Sequence, residues 1–202
     1  MEVKQKFIAS GRANRPGGKN TIEYITIHET GNYAKGADAS AHASYLQTTG
    51  DKVSWHFSVD EKGAYQHLPV EECAYHAGTR DGNNRSIGIE ICVNSDGNFN
   101  KAVGNTAELV KRLMREHGIP VNRVVQHNFW SGKNCPQNLR LGGWDEFVAS
   151  LKTEEASSWA KPSWDKAKAL GITDGTNPQG TCTREQVIVM LERCGVLGVK
   201  VK

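Results

Sequence analysis

All seven histidines of this 202-residue chain lie between His28 and His127. Neutral imidazole binds metals and moves protons near neutral pH, so this confinement marks where chemistry is to be sought. His127 stands eight residues before Cys135, with turn-forming residues between them. Imidazole and thiolate are zinc ligands, and a catalytic zinc keeps three protein ligands and an open position for water. His28, at the end of a strand-like segment, can supply the third ligand. Taken alone, this spacing also fits a capped histidine beside a buried free cysteine.

The elements that must position these groups are legible as periodicity. Residues 23–28 (EYITIH), 53–60 (VSWHFSVD) and 86–94 (SIGIEICVN) alternate with period two, which predicts three strands. Ile25 and Ile27 share one face of the first. Val53, Trp55, Phe57 and Val59 share a face of the second, and Ile87, Ile89, Ile91 and Val93 of the third. The opposite faces offer His28, His56 and Glu90, which converge if the strands are neighbours in one sheet. These faces carry few solubilising charges, which favours a cleft over an ordinary solvated surface. Helices are predicted over 39–47, capped by Asp38 or Ser40, and over 105–117, stopped by Gly118 and Pro120. Another is predicted where Trp144, Phe147, Val148 and Leu151 form an apolar stripe. The expected fold class is α/β, a mixed central β-sheet flanked by helices.

The polar stretch 152–158 is read as a linker between a first domain, 1–151, and a small all-α module, 159–202. In the module, Pro162 opens a helix that Gly171 closes. After a turn-rich stretch to Thr181, Thr183 and Gln186 form a capping box. The apolar stripe Val187, Met190, Leu191 and Cys194 follows. A unit of about 45 residues has a marginal core and leans on the first domain or on another copy.

Composition narrows the function classes. No apolar run reaches the roughly 18 residues that would suggest a membrane span. The start, MEVKQKFIAS, has no apolar core followed by a cleavage site, so no secretory signal is expected. Five cysteines argue against a closed disulfide framework. The net charge of +3 resides in residues 157–202, with seven basic and four acidic residues, and the remainder is neutral. No basic stripe or stacking motif points to nucleic acid.

Several separate segments carry a resemblance: ITIHETGN, WHFSVDEKGAYQHLP, AYHAGTRDGNNRSIGIEICVN and VVQHNFWSGKNCP. In this order, from about residue 12 to about residue 151, the chain resembles the zinc-dependent N-acetylmuramoyl-L-alanine amidases. That family includes phage endolysins and the related peptidoglycan recognition proteins. The resemblance implies one Zn²⁺ held by His28, His127 and Cys135, with Glu90 as the acidic catalytic residue and Lys133 as the basic one. His76, within Ala74–Gly78, falls on a position that lines the family's substrate cleft. Tyr75 stands where the family usually has Trp. His56 and His76 are expected to contact substrate, to orient a ligand or to be satisfied structural histidines, while His42, His67 and His117 are read as structural. Glu29, alternating away from His28, is not assigned to the metal.

The implied activity is hydrolysis of the amide joining N-acetylmuramic acid to the L-alanine of the stem peptide, and so lysis of the bacterial wall. Synthesis in the cytoplasm with release to the wall by a holin fits the endolysin resemblance. The alternative is a non-catalytic peptidoglycan-binding protein, and retention of all three ligands with Glu90 and Lys133 favours catalysis. The module resembles the S-layer homology repeat over Trp159–Thr176, Thr183–Gln186 and Met190–Arg193, which implies binding to glycan or to a secondary wall polymer. That family commonly works as three repeats, whereas one is visible here. Asp174–Asn177 lacks the acidic ladder of a calcium loop.

Overall fold

A computed structural model describes residues 1–152, 156–173 and 182–195. The chain forms two compact units, Met1–Leu151 and Lys152–Lys202. The linker positions 153–155, most of the turn-rich stretch including Asp174–Asn177, and residues 196–202 lie outside the described residues.

The first unit is built on six strands: β1 (Val3–Gln5), β2 (Tyr24–Glu29), β3 (Phe57–Val59), β4 (Ala64–Gln66), β5 (Ser86–Ile91) and β6 (Val124–Gln126). They form one mixed sheet in the order β1-β4-β3-β5-β2-β6, parallel except for the β3–β4 pair. Ile25, Ile27, Phe57, Val59, Ile87, Ile89 and Ile91 project to one side, as alternation requires, and are 0–1% exposed. Against them pack α3 (Phe99–His117), through Leu109, Val110 and Leu113, and α5 (Trp144–Leu151), through Phe147 and Leu151. The other face of β2 is also covered: Thr26 and His28 are 0% and 1% exposed. A parallel strand buried on both faces is the usual consequence of packing on each side of the sheet.

Other elements are α1 (Ala39–Thr48), α2 (Arg80–Arg85) and α4 (His127–Ser131). Asp38, rather than Ser40, caps α1 by accepting from the Ala41 N–H at 3.0 Å. Helix α3 begins six residues before the predicted start because the Asn98 side chain caps it, accepting from the Lys101 N–H at 3.0 Å. Ala102 then extends the buried stripe by a turn. Gly118, with φ 66°, closes it in the left-handed conformation that glycine adopts freely.

The strand predicted over 53–60 is corrected to Phe57–Val59. Val53 and Trp55 belong to a second apolar cluster with Ile8, Leu46, Leu68 and Ala74, apart from the one that receives Phe57 and Val59. The Trp55 indole N–H donates to Ser58 Oγ at 2.8 Å, so local hydrogen bonding replaces strict alternation there.

Two fully buried imidazoles are expected to lower the stability of this unit in acid. His56 lies against the backbone of Glu72 and Gly88, and His67 against Ser58. Burial pushes their pKa values down to about 4 and about 3. The unfolded chain protonates near 6.5 and therefore binds protons first as pH falls. Stability is full above that value and is lost progressively down to the folded-state values. The loss expected from His56 alone is of the order of 3 kcal/mol. Urea midpoints of the metal-free protein at about pH 7.5 and about pH 4.5 measure this slope, and His67→Gln should flatten it. An unchanged slope in that variant would count against the assignment.

In the second unit, α6 (Lys161–Ala169) has Pro162 in its first turn and α7 (Arg184–Arg193) starts at the expected capping box. Gln186 N–H donates to Thr183 Oγ1 at 3.2 Å, and Thr183 N–H to Gln186 Oε1 at 2.8 Å. The Arg193 guanidinium donates to the Gly171 carbonyl at 3.3 Å. Neither helix has a buried residue; Met190 and Leu191 are half-buried. Among the described residues, no helix is long and apolar enough to cross a membrane.

Candidate metal centre

Strand pairing places the first two groups. His28 on β2 stands directly opposite Glu90 on β5, and both leave the sheet on its polar side. Strand β6 ends at Gln126 and the chain turns at once into α4, so His127 is delivered beside His28. Cys135 returns to the same point through the loop after α4. There its carbonyl accepts from the Asn128 N–H at 3.1 Å. His28 Nδ1 lies 3.0 Å from His127 Nδ1 and 3.9 Å from Cys135 Sγ. One donor atom from each of the three residues falls within 4.8 Å of the others, and all three residues are buried.

This donor set fits a metal ion. Tetrahedral zinc with ordinary bond lengths spaces nitrogen and sulfur ligands roughly 3.3–3.6 Å apart, close to the separations seen here. Burial, then the neighbouring imidazoles, hold His28 well below the usual histidine range, so it is neutral and able to ligate. Burial pushes the Cys135 thiol up to about 12, so its ionisation calls for a cation at the site. The remaining ring nitrogens are occupied. His28 Nε2 lies 2.9 Å from His76 Nδ1, and the His127 ring faces the Ala77 backbone. Such outer contacts fix which nitrogen would face a metal ion.

Glu90 Oε1 is 4.0 Å from His28 Nδ1, and its buried Oε2 has no hydrogen-bond partner. Burial raises its pKa to about 8, while the Lys133 charge pulls the other way. Lys133 is exposed and lines the open side of a cleft of about 440 Å³. The cleft runs from Glu90 and Cys135 past Tyr75 to His42, Tyr45 and Trp55.

His76 borders this cleft and touches His28, so it lies where both expected roles are open to it. His56 does not. It is 0% exposed, its Nε2 is 2.8 Å from the Glu72 carbonyl, and its Nδ1 accepts from the Gly88 N–H at 2.9 Å. The expectation that His56 contacts substrate is therefore corrected: no ring atom is left for a ligand. Its register explains this, because Ser58, two residues on, is the partner of Glu90. Sequence reading missed Gly88, whose lack of a side chain makes room for the His76 ring, and the cleft wall formed by Tyr45 and Trp55.

Residues 18–138 match the family model described as N-acetylmuramoyl-L-alanine amidase, and they include His28, Glu90, His127 and Cys135. The chain belongs to the N-acetylmuramoyl-L-alanine amidase family. Among curated members, this amidase-family chain is 46% identical over 179 residues to XlyA of Bacillus subtilis, covering 86% of the chain and 60% of the relative. It is 47% identical over 158 residues to CwlH of the same organism, covering 77% of the chain and 63% of the relative. It thus spans less than two thirds of the length of either. The solved catalytic domain of XlyA superposes with a TM-score of 0.73 at 51% identity, over 75% of this chain and all of that one. PlyL gives 0.70 at 33% identity, over 76% of the chain and 98% of PlyL. The α/β architecture of the first unit is that of these domains.

Proposed function

We propose that this chain is a zinc-dependent peptidoglycan hydrolase that cleaves the amide between N-acetylmuramic acid and the L-alanine of the stem peptide. The observation that carries the reading is the convergence of His28, His127 and Cys135 beside Glu90 at the floor of an open cleft. When bound there, Zn²⁺ would polarise the amide carbonyl and acidify a water. Glu90 has the position of the general base that takes the attacking water's proton and returns it to the leaving amine. Lys133, at the cleft edge, offsets negative charge developing on the carbonyl oxygen. His76 Nδ1 holds His28 at the latter's Nε2, and Tyr75 contributes an aromatic wall. The tail, 159–202, is proposed to bind wall polymer, and its +3 charge suits an anionic one.

Chelation of the purified full chain should abolish wall hydrolysis, and Zn²⁺ should restore it. New L-alanine amino termini should appear in step with turbidity loss. Release of reducing ends without those termini would sink the amide assignment. Walls stripped of anionic polymer should retain less of the chain in a sedimentation assay; equal retention would remove the tail proposal.

A further inference from the structure

We infer that Glu29 is a positioning residue that holds Cys135 within reach of the two histidines. This rests on the metal reading above and concerns how the third donor is kept in place. Glu29 follows His28 on β2, so its side chain leaves the strand on the opposite face. It is nevertheless buried, at 8% exposure. A carboxylate so placed must be hydrogen-bonded to remain charged. Its Oε2 accepts from the Asn138 N–H at 2.8 Å and its Oε1 from the Leu139 N–H at 2.9 Å.

These N–H groups open the helical stretch that follows Cys135 and Pro136. First-turn amides have no acceptor within their own helix, and their partial positive charge favours a carboxylate. The Glu29 backbone N–H meanwhile faces the Cys135 sulfur. Glu29 thus meets Cys135 from both sides, its amide facing the sulfur and its carboxylate holding the following turn. Leu139, 4% exposed, anchors that turn in the core. Arg140 adds a second tie. Its Nε donates to Asn134 Oδ1 at 2.9 Å and its Nη1 to Gln126 Oε1. Glu29 follows His28, Gln126 precedes His127 and Asn134 precedes Cys135, so each donor is braced by its chain neighbour.

The test is zinc and cobalt binding by the full-length Glu29→Ala and Glu29→Gln chains, with far-UV circular dichroism to confirm folding. Glu29→Ala should weaken zinc about 10–100-fold, the range found when such supports are removed. It should also reduce the thiolate-to-cobalt charge-transfer band relative to the ligand-field bands. Glu29→Gln keeps one acceptor oxygen and should fall between; it also serves if the alanine variant does not fold. In a Cys135→Ser background the Glu29 substitution should have little further effect on zinc, because the sulfur it positions is gone. Wild-type affinity and an unchanged thiolate band in both single variants would overturn the inference while leaving the metal reading intact. A full additional loss in the Cys135→Ser background would also overturn it, by showing a general structural role. Failure of the wild-type chain to bind zinc would overturn the metal reading and this inference together.

Discussion

Glu90→Gln is expected to lower amide hydrolysis by about two to four orders of magnitude with the fold and the bound metal retained. Glutamine keeps the volume of the side chain and loses its basicity. The size follows from the role: proton transfer by a placed side chain accounts for about 3–5 kcal/mol of barrier lowering. The surroundings argue that Glu90 acts on a bound molecule. Its Oε2 is buried without a partner, which is costly unless a ligand supplies one. Its pKa of about 8 in the metal-free chain, set by burial, lies close to neutrality, where a base can both accept and return a proton. Nearby Lys133 and a divalent cation favour the carboxylate form. The measurements are kcat on a purified muropeptide and zinc content by atomic absorption. Residual kcat above about a tenth of wild type would remove Glu90 from proton transfer.

Gly88→Ala is expected to damage both stability and the metal centre. A Cβ at this position would sit 2.7 Å from Cγ and Nδ1 of the His76 ring and 3.0 Å from its Cδ2. The ring cannot simply swing away. It lies edge-on to His28 and His56, with centroids 5.0 and 5.9 Å away, and Nδ1 is the atom that meets His28 Nε2. Over-packing of this kind costs about 1–3 kcal/mol. Loss of the His76 contact should weaken zinc about 10–100-fold. A second substitution separates the two effects. In Gly88→Ala/His76→Ala the clash is gone, so the urea midpoint should recover, while zinc affinity should stay low. Recovery of both would show that His76 does not support His28.

How much was legible depended on how local each feature is. The two apolar strand faces around Ile25 and Ile89, the α5 stripe and the Thr183–Gln186 capping box were readable because they follow from periodicity or contact over a few residues. The family motifs placed His28, His127 and Cys135 in one group, and the structure brings their donor atoms together. What failed was alternation in 53–60, where Trp55 packs in a different cluster from Phe57 and its indole N–H bonds Ser58. The start of α3 failed too, because an Asn98 cap looks like any other polar residue before a weakly apolar segment.

By itself the sequence determined which side chains are able to do chemistry and, outside residues 53–56, to which side of a strand each points, since side-chain direction in a strand has a period of two residues. Parity alone treated His28, His56 and Glu90 as equals, and it set Glu29 aside as pointing away. Only the tertiary structure decided among them. The β2–β5 register puts His28 opposite Glu90, whereas His56 lies two residues back along the strand direction, roughly 6–7 Å away, where the backbone takes both its ring nitrogens. The turn after Cys135 comes back over a hundred residues later to meet Glu29. Distances between groups so far apart in the chain are set by strand register and by packing, which no local pattern encodes.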